Sequence, residues 1–362
     1  MSRFLRILPF AIVLAAVGCG ERAQNDAPSP AAIAEPAAPM VSENPVIDRM
    51  AEARKEMAKF ADVDSEDGYL QWAKPSVDEL QLLPQLPRKK ELDIRQLQVT
   101  RDHLDVLVNK CPNIERISLM SAVITPDLFL SLPKLKLLRE LSILQIELDD
   151  AALAPLRGLP LTELGIANNS VTDTGMEVVG TMQSLTYLNV AELDLTDAGM
   201  RHLEGLSNLT GLRMGYTKVS DAGLKSIGQL TNLTSINLNH TQITDAGFLE
   251  LGRLKKLTSV EANCSGLTDH CLTAVLEWPA IEQLDLWDTQ ITDAGLPILA
   301  KSKTLKYLAV GRTTVTDAGL PHLYQSSLLS LNLSDTATTL PAIEELKKEV
   351  PGITVIKYGQ TQ

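Results

Sequence analysis

Three side chains that could do chemistry occupy one position of a recurring phrase: His240, Cys264 and Asp288. If neighbouring parallel strands carry them, about 4.8 Å apart, an imidazole, a thiol and a carboxylate stand in a row where the strands end. Such a row could be a nucleophile with its base and orienting group, or a set of metal ligands. Polar faces also produce such triples by chance, and a shallow surface seldom shifts pKa values enough for catalysis. We therefore expect a non-enzymatic protein without a cofactor, and keep a hydrolase or metal site at this row as an alternative.

Other sequence signals for catalysis are weak. The chain contains no Gly-rich phosphate loop and no HExxH, GxSxG or CxxC pattern. Its four cysteines have no paired spacing and so predict no disulfide framework. Whether Cys264 and Cys271 pair stays open.

The elements that carry the row belong to a repeat, seen most clearly in residues 233–256, LTSINLNHTQITDAGFLELGRLKK. Alternation predicts a short strand in which Ile236 and Leu238 point inward while Ser235, Asn237 and Asn239 point outward. Weak copies begin at Lys89, Ile114 and Leu138, and regular copies follow about every 24 residues, at Leu161, Leu185, Leu209, Leu233, Leu257, Ile281, Leu305 and, less completely, Leu328. A fixed period in this range predicts a solenoid.

Each copy also contains the residues that are expected to form its turn and its helix. Thr241 and its counterparts can satisfy loop carbonyl groups that the core would otherwise leave without partners. Thr244 and Asp245 are expected to cap a short helix, with the acid favoured in its first turn. Gly247 removes a side chain where that helix lies against its neighbour, and Leu251 closes the core.

The phrase Ile-Thr-Asp-Ala-Gly resembles the cysteine-containing subclass of leucine-rich repeats, found in F-box substrate receptors and in bacterial extracellular proteins. The resemblance covers residues 89–358, although Thr stands in most copies where that subclass has cysteine, and no F-box precedes the repeats. It implies an α/β solenoid with a concave parallel sheet of about twelve strands and short convex helices. It also implies a surface for binding other proteins.

The N-terminal residues predict a lipid anchor. Arg3 and Arg6 precede an apolar run that is too short to span a bilayer. Residues 16–19, AVGC, resemble a bacterial lipobox, with alanine in place of the usual leucine. We expect residues 1–18 to be a signal peptide and Cys19 to be lipidated, which places the protein in the cell envelope; simple secretion is the alternative.

Three further segments follow. Residues 19–44 are rich in Ala and Pro and predict an extended tether. Residues 45–88 contain apolar positions at helical spacing and predict a helical cap over the first repeat. Residues 89–362 form the repeat domain, with about eleven repeats and one terminal strand.

Composition limits the partners. The sequence is 44% hydrophobic, which excludes disorder of the whole chain. Its formal net charge of −12 argues against a nucleic-acid partner, because phosphate binding requires a basic surface.

The concave face is the predicted binding surface. Aromatics make up only 4% of the chain, yet several project with Arg and polar groups from the second half of the predicted sheet. We expect a protein partner, with a polysaccharide as the alternative, and no particular oligomeric state. The predicted binding residues are Tyr187, Asn189, Arg213, Tyr216, Asn237, Asn239, His240, Glu261, Asn263, Asp285, Trp287, Asp288, Tyr307 and Arg312.

Overall fold

The computed structural model describes residues 85–95, 98–120, 123–124, 127–264 and 266–359, together with Val77 and Gln81. The predicted signal peptide, the Cys19 anchor and the tether over 19–44 lie outside the described residues. So does most of the predicted cap over 45–88.

The predicted sheet is confirmed: twelve parallel strands form one open sheet, and each strand pairs with the next repeat's strand. Strands are numbered in chain order, and β2 (Gln98–Val99) and β4 (Val123–Ile124) form a separate two-stranded sheet that the sequence did not predict. The main sheet contains β1 (Glu91–Arg95), β3 (Arg116–Met120), β5 (Glu140–Leu144), β6 (Glu163–Gly165), β7 (Tyr187–Asn189), β8 (Gly211–Arg213), β9 (Ser235–Asn237), β10 (Ser259–Glu261), β11 (Gln283–Asp285), β12 (Tyr307–Ala309), β13 (Ser330–Asn332) and β14 (Thr354–Ile356).

Short helices connect these strands, as predicted, but several of them are 3₁₀ rather than α. The α-helices are Arg101–Lys110, Asp150–Leu153, Asp173–Val179, Asp197–Arg201, Asp221–Ile227, Asp245–Glu250, Leu296–Leu299 and Leu340–Glu349. The 3₁₀ helices are Leu128–Lys134, Ala154–Leu156, Leu251–Arg253, Asp269–Glu277 and Leu320–Leu323. Within the described part of the chain, no helix is long and apolar enough to cross a bilayer.

The core lies between the sheet and the helices. Ile236, Leu238, Leu251 and Leu254 are all buried, as the alternation and the helical spacing predicted. The same positions recur along the chain, so one continuous core extends from Leu86 to Ile353.

The predicted threonine row satisfies loop carbonyl groups. Thr241 Oγ1 donates to the carbonyl oxygen of Leu238 at 2.7 Å, and the same bond recurs at Thr217, Thr289, Thr313 and Thr336. An earlier repeat carries an asparagine in this place. Asn169 accepts from the backbone N–H groups of Ile146 and Leu148 and donates to three carbonyl groups.

A ladder of aspartates joins the convex ends of the repeats. Asp221 accepts the backbone N–H of Thr244 at 2.8 Å with Oδ1 and the Thr244 hydroxyl at 2.7 Å with Oδ2. The sequence predicted that the aspartate acts within its own helix, whereas the structure shows that it also binds the next repeat. The same pair of bonds is made by Asp150, Asp173, Asp197, Asp245, Asp269, Asp293 and Asp317.

The glycine of the repeat makes room for this ladder. A Cβ atom on Gly247 would stand 2.3 Å from Asp221 Oδ1 and 2.7 Å from the Asp221 Cα. Comparable clashes with the preceding aspartate exist at Gly175, Gly199, Gly223, Gly295 and Gly319.

We predict that Gly247→Ala destabilises the protein by about 1–3 kcal/mol, because the methyl group displaces a carboxylate and a backbone atom. Alanine's higher helix propensity, about 1 kcal/mol, offsets part of this loss. Urea unfolding measures the change. Gly252→Ala is the matched control, since its Cβ would meet nothing closer than 3.7 Å. Equal midpoints for the two variants would show that the ladder tolerates the methyl group.

Candidate functional site

The position occupied by His240 forms a column of left-handed residues at the ends of the concave strands. His240 has φ +54°, and its N–H donates to the carbonyl oxygen of Asn263 in the next repeat. This turn carries the chain away from the sheet and turns the side chain outward. The same positive φ is found at Asn168, Glu192, Tyr216, Asp288, Arg312 and Asp335.

Cys264 departs from this column. Its N–H donates to Ala262 within its own repeat at 2.8 Å, and its side chain is buried. The thiol donates to the carbonyl oxygen of Leu238 at 3.1 Å and lies 3.4 Å from Thr241 Oγ1. Cys264 therefore joins the threonine row in the core, and the predicted row of His240, Cys264 and Asp288 is wrong at its middle member.

The surroundings of the thiols do not favour nucleophilic chemistry. Burial raises the pKa of Cys264, and burial together with the charge of Asp245 raises that of Cys271, so both remain thiols at neutral pH. Neither Cys264 nor Cys271 forms a disulfide in the structure. Within the described ranges, no group of three or more His, Cys, Asp or Glu side chains could hold a metal ion.

The other predicted binding residues lie on the concave face, with different exposure. Asn237, predicted to face outward, is only 7% exposed, and its amide donates to the Glu261 carboxylate on the next strand. Residues of intermediate exposure are Tyr187, Asn189, Asn239, Glu261, Asn263, Asp285, Trp287 and Asp288. The exposed residues are Arg213, Tyr216, His240, Tyr307 and Arg312.

Glycines in adjacent repeats support two of the aromatic rings. A Cβ on Gly311 would come within 2.2 Å of the Trp287 indole, and one on Gly211 within 2.8 Å of the Tyr187 ring. Each ring therefore packs against the glycine of the next repeat. The rings of Tyr216 and His240 stack on each other, with centroids 4.4 Å apart and planes tilted by 30°.

Side-chain oxygens on the sheet hold the backbone at the strand ends. Asp285 Oδ1 accepts the N–H of Trp287, two residues further on, at 3.0 Å. Asn189, Asn237 and Asn332 make the same bond in their repeats. This role was not predicted from the sequence, although an Asn or Asp recurs at this position of the strand in several repeats.

Most concave carboxylates have a local partner. Arg116 binds both Glu91 and Glu140 on the flanking strands, which raises the pKa of the guanidinium. At the strand ends, Asp288 lies 3.7 Å from Arg312.

Glu261 and Asp285 accept hydrogen bonds, but neither forms an ion pair with a described residue. They stand directly opposite each other on β10 and β11, where like charges destabilise a strand pair. Burial and the charge of Glu261 raise the pKa of Asp285 from 3.8 to about 6, despite the hydrogen bond from Trp287. The amide of Asn237 donates to the Glu261 carboxylate and orients it.

One segment of the chain matches a protein-family model. Residues 229–252 match the model of the leucine-rich repeat. No curated protein sequence matches the chain.

Solved structures share the fold over most of the chain. An internalin from Listeria monocytogenes superimposes with a TM-score of 0.54 at 20% identity, covering 79% of this chain and 90% of the internalin. A chain of the Drosophila Toll–Spätzle complex gives 0.52 at 18% identity, over 80% of this chain and 43% of that one. A chain of the mouse RP105/MD-1 complex gives a TM-score of 0.56 at 16% identity, covering 78% of this chain and 53% of that one. This protein thus spans about half the length of the last two, and its fold is a leucine-rich repeat solenoid.

We predict that Asp285→Asn stabilises the protein by about 1–3 kcal/mol at pH 7.5, since each pKa unit corresponds to about 1.4 kcal/mol. Because the pKa of Asp285 is raised from 3.8 to about 6, the wild type loses stability as Asp285 ionises between about pH 4 and pH 6. Above pH 6 the full destabilisation by the ionised carboxylate is present. The advantage of the variant should therefore shrink as pH falls from 6 toward 4. Asparagine keeps the bond to Trp287, as Asn237 does in its own repeat.

Urea unfolding at several pH values measures this difference. Glu177→Gln, which removes a carboxylate from an exposed helix position, is the control and should change nothing. A pH-independent effect of Asp285→Asn would mean that Asp285 titrates normally.

Proposed function

We propose that the protein is an interaction module that binds another protein through the second half of its concave face. The observation that carries the proposal is the set of accessible aromatic rings on this face. Tyr216 is 58% exposed and Tyr307 43%, and Trp287 is partly exposed over Gly311. Ordered rings among polar groups are the usual composition of binding hot spots.

The solved neighbours support a partner of this class. Two of them are solved as complexes, Toll with Spätzle and RP105 with MD-1. Their likeness to this chain is one of fold, so it supports a protein partner in general and names none. An open, curved sheet also presents a large continuous surface, which is how solenoids contact their partners.

We further propose that the module works in the cell envelope, held by a lipid on Cys19. The support is the sequence of residues 1–19, with its basic start, short apolar run and AVGC motif. The tether over 19–44 would then hold the repeats away from the membrane surface.

We predict that Trp287→Ala and Tyr216→Ala each weaken partner binding by about 1–3 kcal/mol, the usual loss at a hot spot. The assay captures partners from envelope extract with the full chain in a non-ionic detergent, beside a glycan array. Both variants should fold normally, because their rings lie outside the leucine core.

Two controls separate binding from folding. Leu286→Ala opens a cavity in the core and should cost about 2–5 kcal/mol of stability. Lys225→Ala on a convex helix should change neither property. Undiminished capture by the aromatic variants, with loss of capture by the convex one, would place the interface on the other face; retention by glycans alone would identify a polysaccharide binder.

The anchor makes a separate prediction. Cys19→Ser should move the protein from the membrane fraction to the soluble fraction, because two or more acyl chains on a lipidated cysteine hold a protein stably in a bilayer. Fractionation with immunoblotting measures the shift, and mass spectrometry of the mature N-terminus gives the modification. An unmodified N-terminus beyond Cys19 would indicate simple secretion.

A further inference from the structure

The described part of the concave face contains a pair of opposed carboxylates, Glu261 and Asp285, with no cationic side chain bonded to them. Among the residues that the structure describes, neither Glu261 nor Asp285 forms an ion pair, whereas Glu91 and Glu140 share Arg116. The two acids are register partners on β10 and β11. A strand pair that keeps two acids opposite each other loses stability unless a cation lies between them.

A second observation at the same place points to a missing donor. Oδ1 of Asn263 is shielded from solvent and has no hydrogen-bond partner among the described residues. Asn263 follows Glu261 by two residues, so both lie on the concave side of the same repeat. A shielded acceptor without a donor is unfavourable, and a partner's N–H group that reached it would recover the lost free energy.

The surrounding groups suit a cation. The amides of Asn237 and Asn239 both donate to Oε2 of Glu261 and hold the carboxylate in place. The indole of Trp287, two residues beyond Asp285 on the same side of the strand, packs against Gly311 of the next repeat. Carboxylates, an amide oxygen and an aromatic face together bind ammonium and guanidinium groups.

We propose that strands β10 and β11 form a seat for a lysine or arginine side chain of the partner protein, between Glu261 and Asp285 and beside Trp287. This inference rests on the proposed concave interface and defines the chemistry of its partner. The net charge of −12 favours a basic partner over the whole molecule as well. The concave cation Arg213 stands on β8, two strands from Glu261, and its side chain contacts Tyr187.

The test uses short Gly/Ser peptides with three lysines, together with the same peptides after Nε-acetylation, titrated into the full chain in non-ionic detergent. Acetylation keeps the shape of the side chain but removes its charge. We expect the lysine peptide to bind at least tenfold more tightly than its acetylated form. An arginine version should bind as well.

The variants separate a specific seat from general attraction. Glu261→Gln and Asp285→Asn should each weaken lysine-peptide binding about three- to tenfold. Glu177→Gln removes the same charge from the convex side and should leave binding within twofold. Equal losses for all three variants, no lysine-peptide binding, or equal binding of the acetylated peptide would overturn the proposal.

Capture of the envelope partner distinguishes this inference from the function on which it rests. If Trp287→Ala abolishes capture while Glu261→Gln and Asp285→Asn leave it unchanged, the cation seat is wrong and the concave interface stands. If none of the three matters, both proposals fail. If all three reduce capture and Glu177→Gln does not, both are supported.

Discussion

The repeats depend on one interaction, the carboxylate of each aspartate bonding to both the backbone and the hydroxyl of the following repeat. Thr196 illustrates it: its N–H reaches Asp173 Oδ1 at 2.8 Å and its hydroxyl reaches Oδ2 at 2.6 Å. Two bonds to one carboxylate fix the distance and the rotation between successive helices, so the strands must pair in the same register. In most repeats glycine leaves room for these bonds at the point of closest approach, since a Cβ on Gly199 would stand 2.5 Å from Asp173 Oδ1.

Most of the contacts that stabilise the solenoid lie behind the sheet, which leaves the concave face available for function. The helices, the leucine core and the threonine row hold the solenoid together from behind, while concave side chains contribute mainly to one another. Tyr216 can therefore be exposed, and the fold tolerates the unfavourable opposition of Glu261 and Asp285. Because the leucine core lies behind the sheet, concave side chains can vary without opening cavities in it, which is why specificity is expected there.

Periodic features could be predicted from the sequence, and local exceptions could not. The alternation of Ile236 and Leu238 fixed the inward face, and the threonine row followed from its position in each copy. The position of Cys264 was different. Whether a turn residue points outward depends on a left-handed φ, which His240 adopts and Cys264 does not. Similarly, the burial of Asn237 arises from contacts with Glu261 on the next strand, which one copy of the repeat cannot show.

Three departures from the repeat pattern fall in a single repeat, and that repeat carries half of the proposed seat. In residues 257–280, Cys264 turns inward, Cys271 replaces the ladder glycine, and Trp278 replaces a core leucine, with its Nε1 donating to the Leu251 carbonyl oxygen at 2.8 Å. Asp245 still holds Thr268 across this repeat, so the ladder survives the larger side chain. The irregular turn and the carboxylates without ion pairs thus lie in a part of the solenoid where the aspartate bonds still set the distance between repeats. A regular framework can hold an energetically unfavourable surface in place, and the free energy recovered when a cation reaches that surface then contributes to binding.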